Sequence, residues 1–460
     1  MPLNKTVSLP QAVVYGIGII VGAGIYTLIG LAAGISGYAL WLSFIVAGLI
    51  ASLTAFSYSE LSSRFPKEGA EAFFSFKAFN RKDIAFLAGL IALLSALFSA
   101  PTVAWGFASY FKLFSGIEPS FVVAGILILL TIVNLKGMKE SVLVENLMTY
   151  LTLAGLFLII IFGVWRIDLP LIMEKTLAEN SFSLANTIFS AAALIFFAYL
   201  GFEHIANIAE EIKEPKKNTP KAIIYSLMIT TALYVLIAII ATSVVSPAEL
   251  ASSADASKQL TQGPLAVVAE RAIMPGFGVL LTIFALFATG STIIALMNVA
   301  SRILYGFANQ DLAPSIFKKL NTNGVPSNAI IFVLAASLLL GFFGNLSLLG
   351  NLTTANTFLL FFIVNASLIA IKLKDMKKSE KKHKFEFIEE KVVEFKALPF
   401  TAILGAFFCI FMFLTQFWEP INLFGIQIPL ILACLILLIL SYFLYKKFGE
   451  KKARFSNLKA

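Results

Sequence analysis

The stretch YGIGIIVGAGIYTLIG, residues 15–30, is apolar enough for a lipid bilayer, yet it carries five glycines. Glycine costs about 1 kcal/mol relative to alanine inside a helix, so a membrane helix written this way is weak near its centre. A break at GAGI frees the N–H groups of Ala23, Gly24 and Ile25 at the start of a new half-helix. That end carries partial positive charge and suits a carboxylate. A second run, SLANTIFSAAALIFFAYLGFEHIANIAEE (183–211), holds Gly201 and an embedded carboxylate, Glu203. Carbonyls freed at the end of the first half-helix and at FFAYLG suit an ammonium group or a cation. Together the two breaks make a receptor for a zwitterion; the alternative is that the glycines only let helices pack closely, as small-xxx-small motifs do.

Such groups must be positioned by elements that tolerate unpaired backbone. Of the 460 residues, 59% are hydrophobic and 13% charged, and the mean hydropathy is +0.89. Apolar runs repeatedly reach the roughly 20 residues that cross a hydrocarbon core. They can be drawn at 11–33, 38–62, 84–111, 120–136, 143–165, 184–209, 221–246, 276–307, 328–345, 350–372, 398–417 and 428–446. These twelve spans, joined by short loops, predict one polytopic unit over residues 1–460. Unwound backbone at membrane depth is tolerated only where it lines a cavity. Paired interruptions in matching positions of two halves point to a transporter of inverted repeats, about 11–165 and 184–373, with 398–446 added.

Basic residues set the expected orientation. Of the 35 Lys and Arg, Lys112, Arg166, Lys175, Lys258 and Arg271 fall on one face and all others on the opposite one. By the positive-inside rule the N-terminus and C-terminus are cytoplasmic. The net charge of +9 then reflects topology and anionic headgroups, not nucleic-acid binding, and 372–396 reads as a solvated cytoplasmic loop. The stretch 247–275, opened by Pro247 and closed by Pro275, contains GPLAVVAERAIM and predicts a short surface helix over an external vestibule.

Other chemistries are thinly represented. The two cysteines, Cys409 and Cys434, lie in apolar runs and read as packing residues. No clustered Cys, His and carboxylate spacing suggests a structural metal, and no cofactor is implied. The first apolar run lacks the marks of a cleaved signal peptide. A G-x-x-x-x-G-K-[ST] nucleotide loop is missing, so ATP drive within the chain is excluded. No nucleophile–base pair sits at membrane depth, which argues against an enzyme.

Several stretches together resemble one family. GIGIIVGAGIY, YSELSSRFPKEGAEAFFSF (58–76), FAYLGFEHIANIAEEIKEPKKNTPKAI (197–223) and SRILYGFANQDLAPSIFKKLN (301–321) are similar to motifs of the amino acid–polyamine–organocation (APC) transporters, most of all the cationic amino acid transporter branch. Glu71 departs from the aromatic or small apolar residue usual at its position. The resemblance implies an all-α integral membrane protein of the LeuT-type fold, a 5+5 inverted repeat with twelve helices of which 1 and 6 are interrupted. It implies secondary transport of an amino acid across the cytoplasmic membrane by alternating access, as proton- or sodium-coupled symport, with exchange or transport-free sensing as alternatives. Carried over, Ala23 and Gly24 bind the substrate α-carboxylate through backbone N–H. The carbonyls of Ile20, Phe197 and Leu200 hold the α-amino group, and Phe197 is the gate.

Glu203 keeps three readings: proton coupling, recognition of a cationic side chain, or a structural carboxylate satisfied by His204 or Asn207. Many proton-coupled relatives carry a helix 5 lysine in the place of a sodium ion. Here that position is Thr152, and no lysine occurs between Val142 and Trp165. In sodium-coupled relatives of the wider fold, two helix 8 hydroxyls join three carbonyls around the ion. Here those are Ser291 and Thr292 with the carbonyls of Gly18, Val21 and Ala288, set against ordinary back-bonding within a helix. The expected partners are an amino acid and the bilayer, and monomer and homodimer are equally compatible with the sequence.

Overall fold

The computed structural model describes residues 5–178, 181–253, 263–344, 346–382, 395–415, 420–423, 426–429 and 443. Cys434, residues 383–394 of the 372–396 stretch and all of the expected span at 428–446 except residues 428, 429 and 443 lie outside them; residues 372–382, expected in a solvated loop, are helical.

Among the described residues sixteen α-helices follow in chain order: α1 (Leu9–Ile20), α2 (Ala23–Ser36), α3 (Leu40–Arg64), α4 (Ala70–Phe79), α5 (Lys82–Ser115), α6 (Pro119–Lys136), α7 (Met138–Gly163) and α8 (Leu169–Leu177). Then come α9 (Ser181–Ile195), α10 (Pro215–Val244), α11 (Pro247–Ser253), α12 (Pro264–Ala272), α13 (Phe277–Asn309), α14 (Ser327–Phe343), α15 (Leu346–Lys382) and α16 (Pro399–Thr415). An antiparallel hairpin, β1 (Pro420–Leu423) and β2 (Ile426–Pro429), follows α16. Among the described residues nine helical stretches are long and apolar enough to cross a membrane, with two shorter apolar helices at Ser327–Phe343 and Phe400–Leu414. Their positions match eleven of the twelve expected spans.

The glycine-rich span is interrupted where the sequence predicts. α1 ends at Ile20, Val21 and Gly22 leave helical geometry, and α2 restarts at Ala23. The second interruption has a different form. α9 runs into a 3₁₀ turn at Phe196–Tyr199, opens at Leu200 and Gly201, and resumes as a 3₁₀ segment, Phe202–Glu211. Gly201 has φ +128°, a backbone conformation that side chains rarely adopt.

Two apolar clusters organise the helices. One joins residues of α1, α2, α3, α9 and α10 with the second break, and extends to α16. The other joins α5, α6, α13 and α14. α3 packs along α10 and α5 along α13, and both interrupted helices belong to the first cluster. Helices not foreseen from sequence are α4, between the second and third spans, α11, which opens the 247–275 stretch, and α8, whose first turn is capped by Asp168 Oδ1 accepting from Leu171 N at 3.0 Å. The predicted helix in GPLAVVAERAIM is present as α12. Its Leu265, Val268 and Ala269 are buried, so it is packed into the helical body.

Candidate functional site

The two breaks touch each other. A Cβ added at Gly24 would lie 2.7 Å from both Cα and Cβ of Ala198, and one added at Gly201 would lie 2.5 Å from Ile19 Cγ2. No ordinary side chain fits at either place. The glycines weaken their helices and in exchange let two opened backbones meet.

A cavity of about 50 Å³ lies at this junction. Ile19, Ile20, Gly22 and Gly24 line it from the first break, and Phe197, Leu200 and Gly201 from the second. The first N–H groups of α2, on Ala23, Gly24 and Ile25, have no carbonyl one turn back within the helix. Phe197 and Leu200 are half-buried in the cavity wall, and the Phe197 carbonyl accepts the Leu200 N–H at 3.2 Å. The Ile20 carbonyl accepts the Tyr234 hydroxyl at 2.9 Å.

Glu203 and His204 also line the cavity. Glu203 Oε2 accepts the Gly201 N–H at 2.8 Å, and its Oε1 lies 3.7 Å from His204 Nε2. His204 Nδ1 is buried without a partner. Asn207 does not serve Glu203. Its Nδ2 donates to Glu71 Oε1 at 3.0 Å and its Oδ1 accepts from Ala70 N at 3.1 Å, because the 3₁₀ rise turns it towards α4. Glu71 accepts the Tyr58 hydroxyl as well, at 3.2 Å.

The hydroxyls of Ser291 and Thr292 meet the first break from α13. Thr292 Oγ1 lies 3.0 Å from the Gly18 carbonyl and 3.1 Å from that of Ala288, and Ser291 Oγ lies 3.5 Å and 2.9 Å from the same two. Back-bonding and the cross-helix contact are thus present together. Val21 follows the end of α1 and is buried; no bond joins it to the two hydroxyls. Thr152 Oγ1 donates back to Met148 O at 3.0 Å. The oxygen donors fit a hard cation in kind.

Sequence reasoning missed several residues here. Ser99 from α5 and Thr353 and Thr357 from α15 add hydroxyl-bearing side chains to the wall. Their helices are far away in sequence, and Ser or Thr in a membrane helix gives no local signal. Arg302, counted among the cytoplasmic-face cations, lies within α13 with its side chain fully buried, against Glu211. Glu145 is also buried on α7, accepting the Thr149 hydroxyl at 3.1 Å.

The architecture is that of a multi-pass helical protein with two opened helices around a largely apolar cavity that also holds a few polar side chains. The amino acid permease family model matches residues 7–440, and the chain belongs to that family, whose members are transporters and not enzymes. It is 27% identical to the branched-chain amino acid permease BcaP of Bacillus subtilis over 470 aligned positions, covering 95% of this chain and 92% of that protein. It is 28% identical to the methylthioribose transporter of Bacillus subtilis, covering 81% and 82%. Against the mitochondrial cationic amino acid transporter 3 of Arabidopsis thaliana the identity is 27%, covering 80% and 63%.

Proposed function

We propose that the protein is a secondary active transporter that carries an amino acid across the cytoplasmic membrane by alternating access, coupled to protons or sodium. The observation that carries this reading is the contact between the two breaks, whose residues Ile20, Gly24, Phe197 and Leu200 line one cavity. In this reading Ala23, Gly24 and Ile25 bind the α-carboxylate, the carbonyls of Ile20, Phe197 and Leu200 take the α-ammonium, and the Phe197 ring closes over both. Relatives named for branched-chain and cationic amino acids support an amino acid as cargo. They also support division of labour, in which backbone reads the common part and side chains such as Glu203 read the rest or carry the coupling proton.

The LeuT-type 5+5 arrangement is supported by the pairing of corresponding members of the proposed repeats, α3 with α10 and α5 with α13. In this reading the chain acts as one unit, with α16 outside the repeats. The distribution of Lys and Arg supports cytoplasmic termini. For sodium the ligands are Gly18, Val21, Ala288, Ser291 and Thr292; for protons the carrier is Glu203.

Uptake by purified protein in liposomes, across a panel of amino acids under separately imposed proton and sodium gradients, tests this reading. Gradient-driven accumulation of at least one amino acid is expected. Strict one-for-one exchange would make the protein an exchanger, and binding without uptake would make it a sensor.

A further inference from the structure

Tyr234 on α10 is a joint between the two breaks. Its side chain is fully buried, with the ring edge-on to Phe44 at 5.5 Å and to Tyr199 at 5.3 Å between centroids. Its hydroxyl lies 2.9 Å from the carbonyl oxygen of Ile20 and 3.2 Å from that of Ala198. The first carbonyl ends α1, and the second belongs to the 3₁₀ turn before Gly201. Both are groups that an interrupted helix leaves without its regular partner, and at membrane depth no bulk water replaces it. A phenol has a single proton to donate, so one hydroxyl is shared between the two interrupted segments. Ala198 is also the residue against which Gly24 packs, so the same junction is held by a close backbone approach and by the Tyr234 bond.

Tyr234 does not belong to the cavity wall, and it acts through other groups. We infer that Tyr234 is a positioning residue for substrate binding, whose hydroxyl fixes the two breaks relative to each other and aims the Ile20 carbonyl at the substrate α-ammonium group. The inference rests on the proposed function, since it assigns a task to a group of that site. Packing against Phe44 and Tyr199 needs only the ring, whereas the task at the breaks needs the hydroxyl. Tyr234→Phe separates the two.

The test compares wild type and Tyr234→Phe in proteoliposomes, using an amino acid that the wild type takes up, its des-amino carboxylic acid as competitor, and thermal melting of both proteins. The half-saturating concentration of the amino acid should rise about tenfold, the scale of one hydrogen bond made to a charged or buried polar group. The maximal rate should stay within about twofold, because the ring still packs. Inhibition by the des-amino acid, which has no ammonium group, should be unchanged. If Tyr234→Phe does not reconstitute, the same comparison is made in detergent from stabilisation of the protein by the amino acid and by the des-amino acid. An unchanged half-saturation, or equal weakening for both compounds, overturns the positioning role. Wild type that neither takes up nor is stabilised by any amino acid overturns the proposed function, and this inference with it.

Discussion

Arg302 and Glu211 form an ion pair inside the helical body, with Nη2 3.3 Å from Oε1 and Nε 3.4 Å from Oε2. Their side chains are 0% and 2% exposed. Asn298 Oδ1 and Ser301 Oγ accept from Arg302 Nη1 at 3.2 and 3.0 Å. On the main chain, Val7 N donates to the Glu211 carbonyl at 3.0 Å and Lys213 N donates to that of Val7 at 2.8 Å. The segment before α1, the end of the second interrupted helix and α13 therefore meet at one locked point. Removing one member of a buried pair leaves the other charge uncompensated, which costs about 3–5 kcal/mol. Arg302→Ala and Glu211→Ala are each expected to lower the melting temperature markedly. The double variant Arg302→Met/Glu211→Leu should recover most of the loss; a melt of Arg302→Ala equal to wild type would contradict the pair's structural weight.

Glycine at position 24 is required by the contact with Ala198. Gly24→Ala should cut uptake by at least about tenfold, because forcing a methyl into a packed contact shifts the backbone. Gly125→Ala on α6 serves as the comparison, since nothing lies within 4 Å of the added carbon there. Equal uptake by the two variants would show that the junction does not need its close approach.

Glu71 gives a pH dependence of stability. Burial pushes its carboxyl up to about 7, against the lowering effect of hydrogen bonds that include those from Asn207 and Tyr58. The folded protein then holds this proton at pH values where the unfolded chain, titrating near 4.5, has released it. Its contribution is full below about 4.5 and is lost as pH rises through 7. Glu71→Gln keeps a neutral side chain throughout. Melting curves from pH 5 to 8 should therefore show wild type falling relative to Glu71→Gln as pH increases, and parallel curves would refute the assignment.

The two coupling schemes separate at different residues. Thr292→Val removes a hydroxyl 3.0 Å from the Gly18 carbonyl and should abolish any stimulation of uptake by a sodium gradient. Glu203→Gln removes the cavity's carboxylate and should flatten the pH profile of uptake. Sodium stimulation surviving the loss of both the Ser291 and Thr292 hydroxyls would place the ion elsewhere.

Legibility in the sequence follows the range of the forces involved. The helices were readable because each is a local run of apolar residues, and the first break because Gly22 and Gly24 sit within one such run. Glu203 was readable as a carboxylate in apolar surroundings. The form of the second break was not, since a 3₁₀ path from Phe202 to Glu211 depends on what packs around it. The burial of Arg302 was not readable, because a cation near a helix end looks solvated until Glu211, 91 residues away in sequence, is seen beside it. Tyr234, Ser99, Thr353 and Thr357 carry no local pattern, and only the packing of α10, α5 and α15 around the breaks gives them a place.

The central claim is that the paired breaks hold the α-carboxylate and the α-ammonium of the transported molecule. Its most direct test is competition against saturable uptake of a labelled amino acid into proteoliposomes, using the methyl ester and the des-amino analogue of the same compound. Each analogue lacks one charged partner of the breaks, and each should compete at least about tenfold more weakly than the parent amino acid. An ester or des-amino analogue that competes as well as the parent would contradict the account.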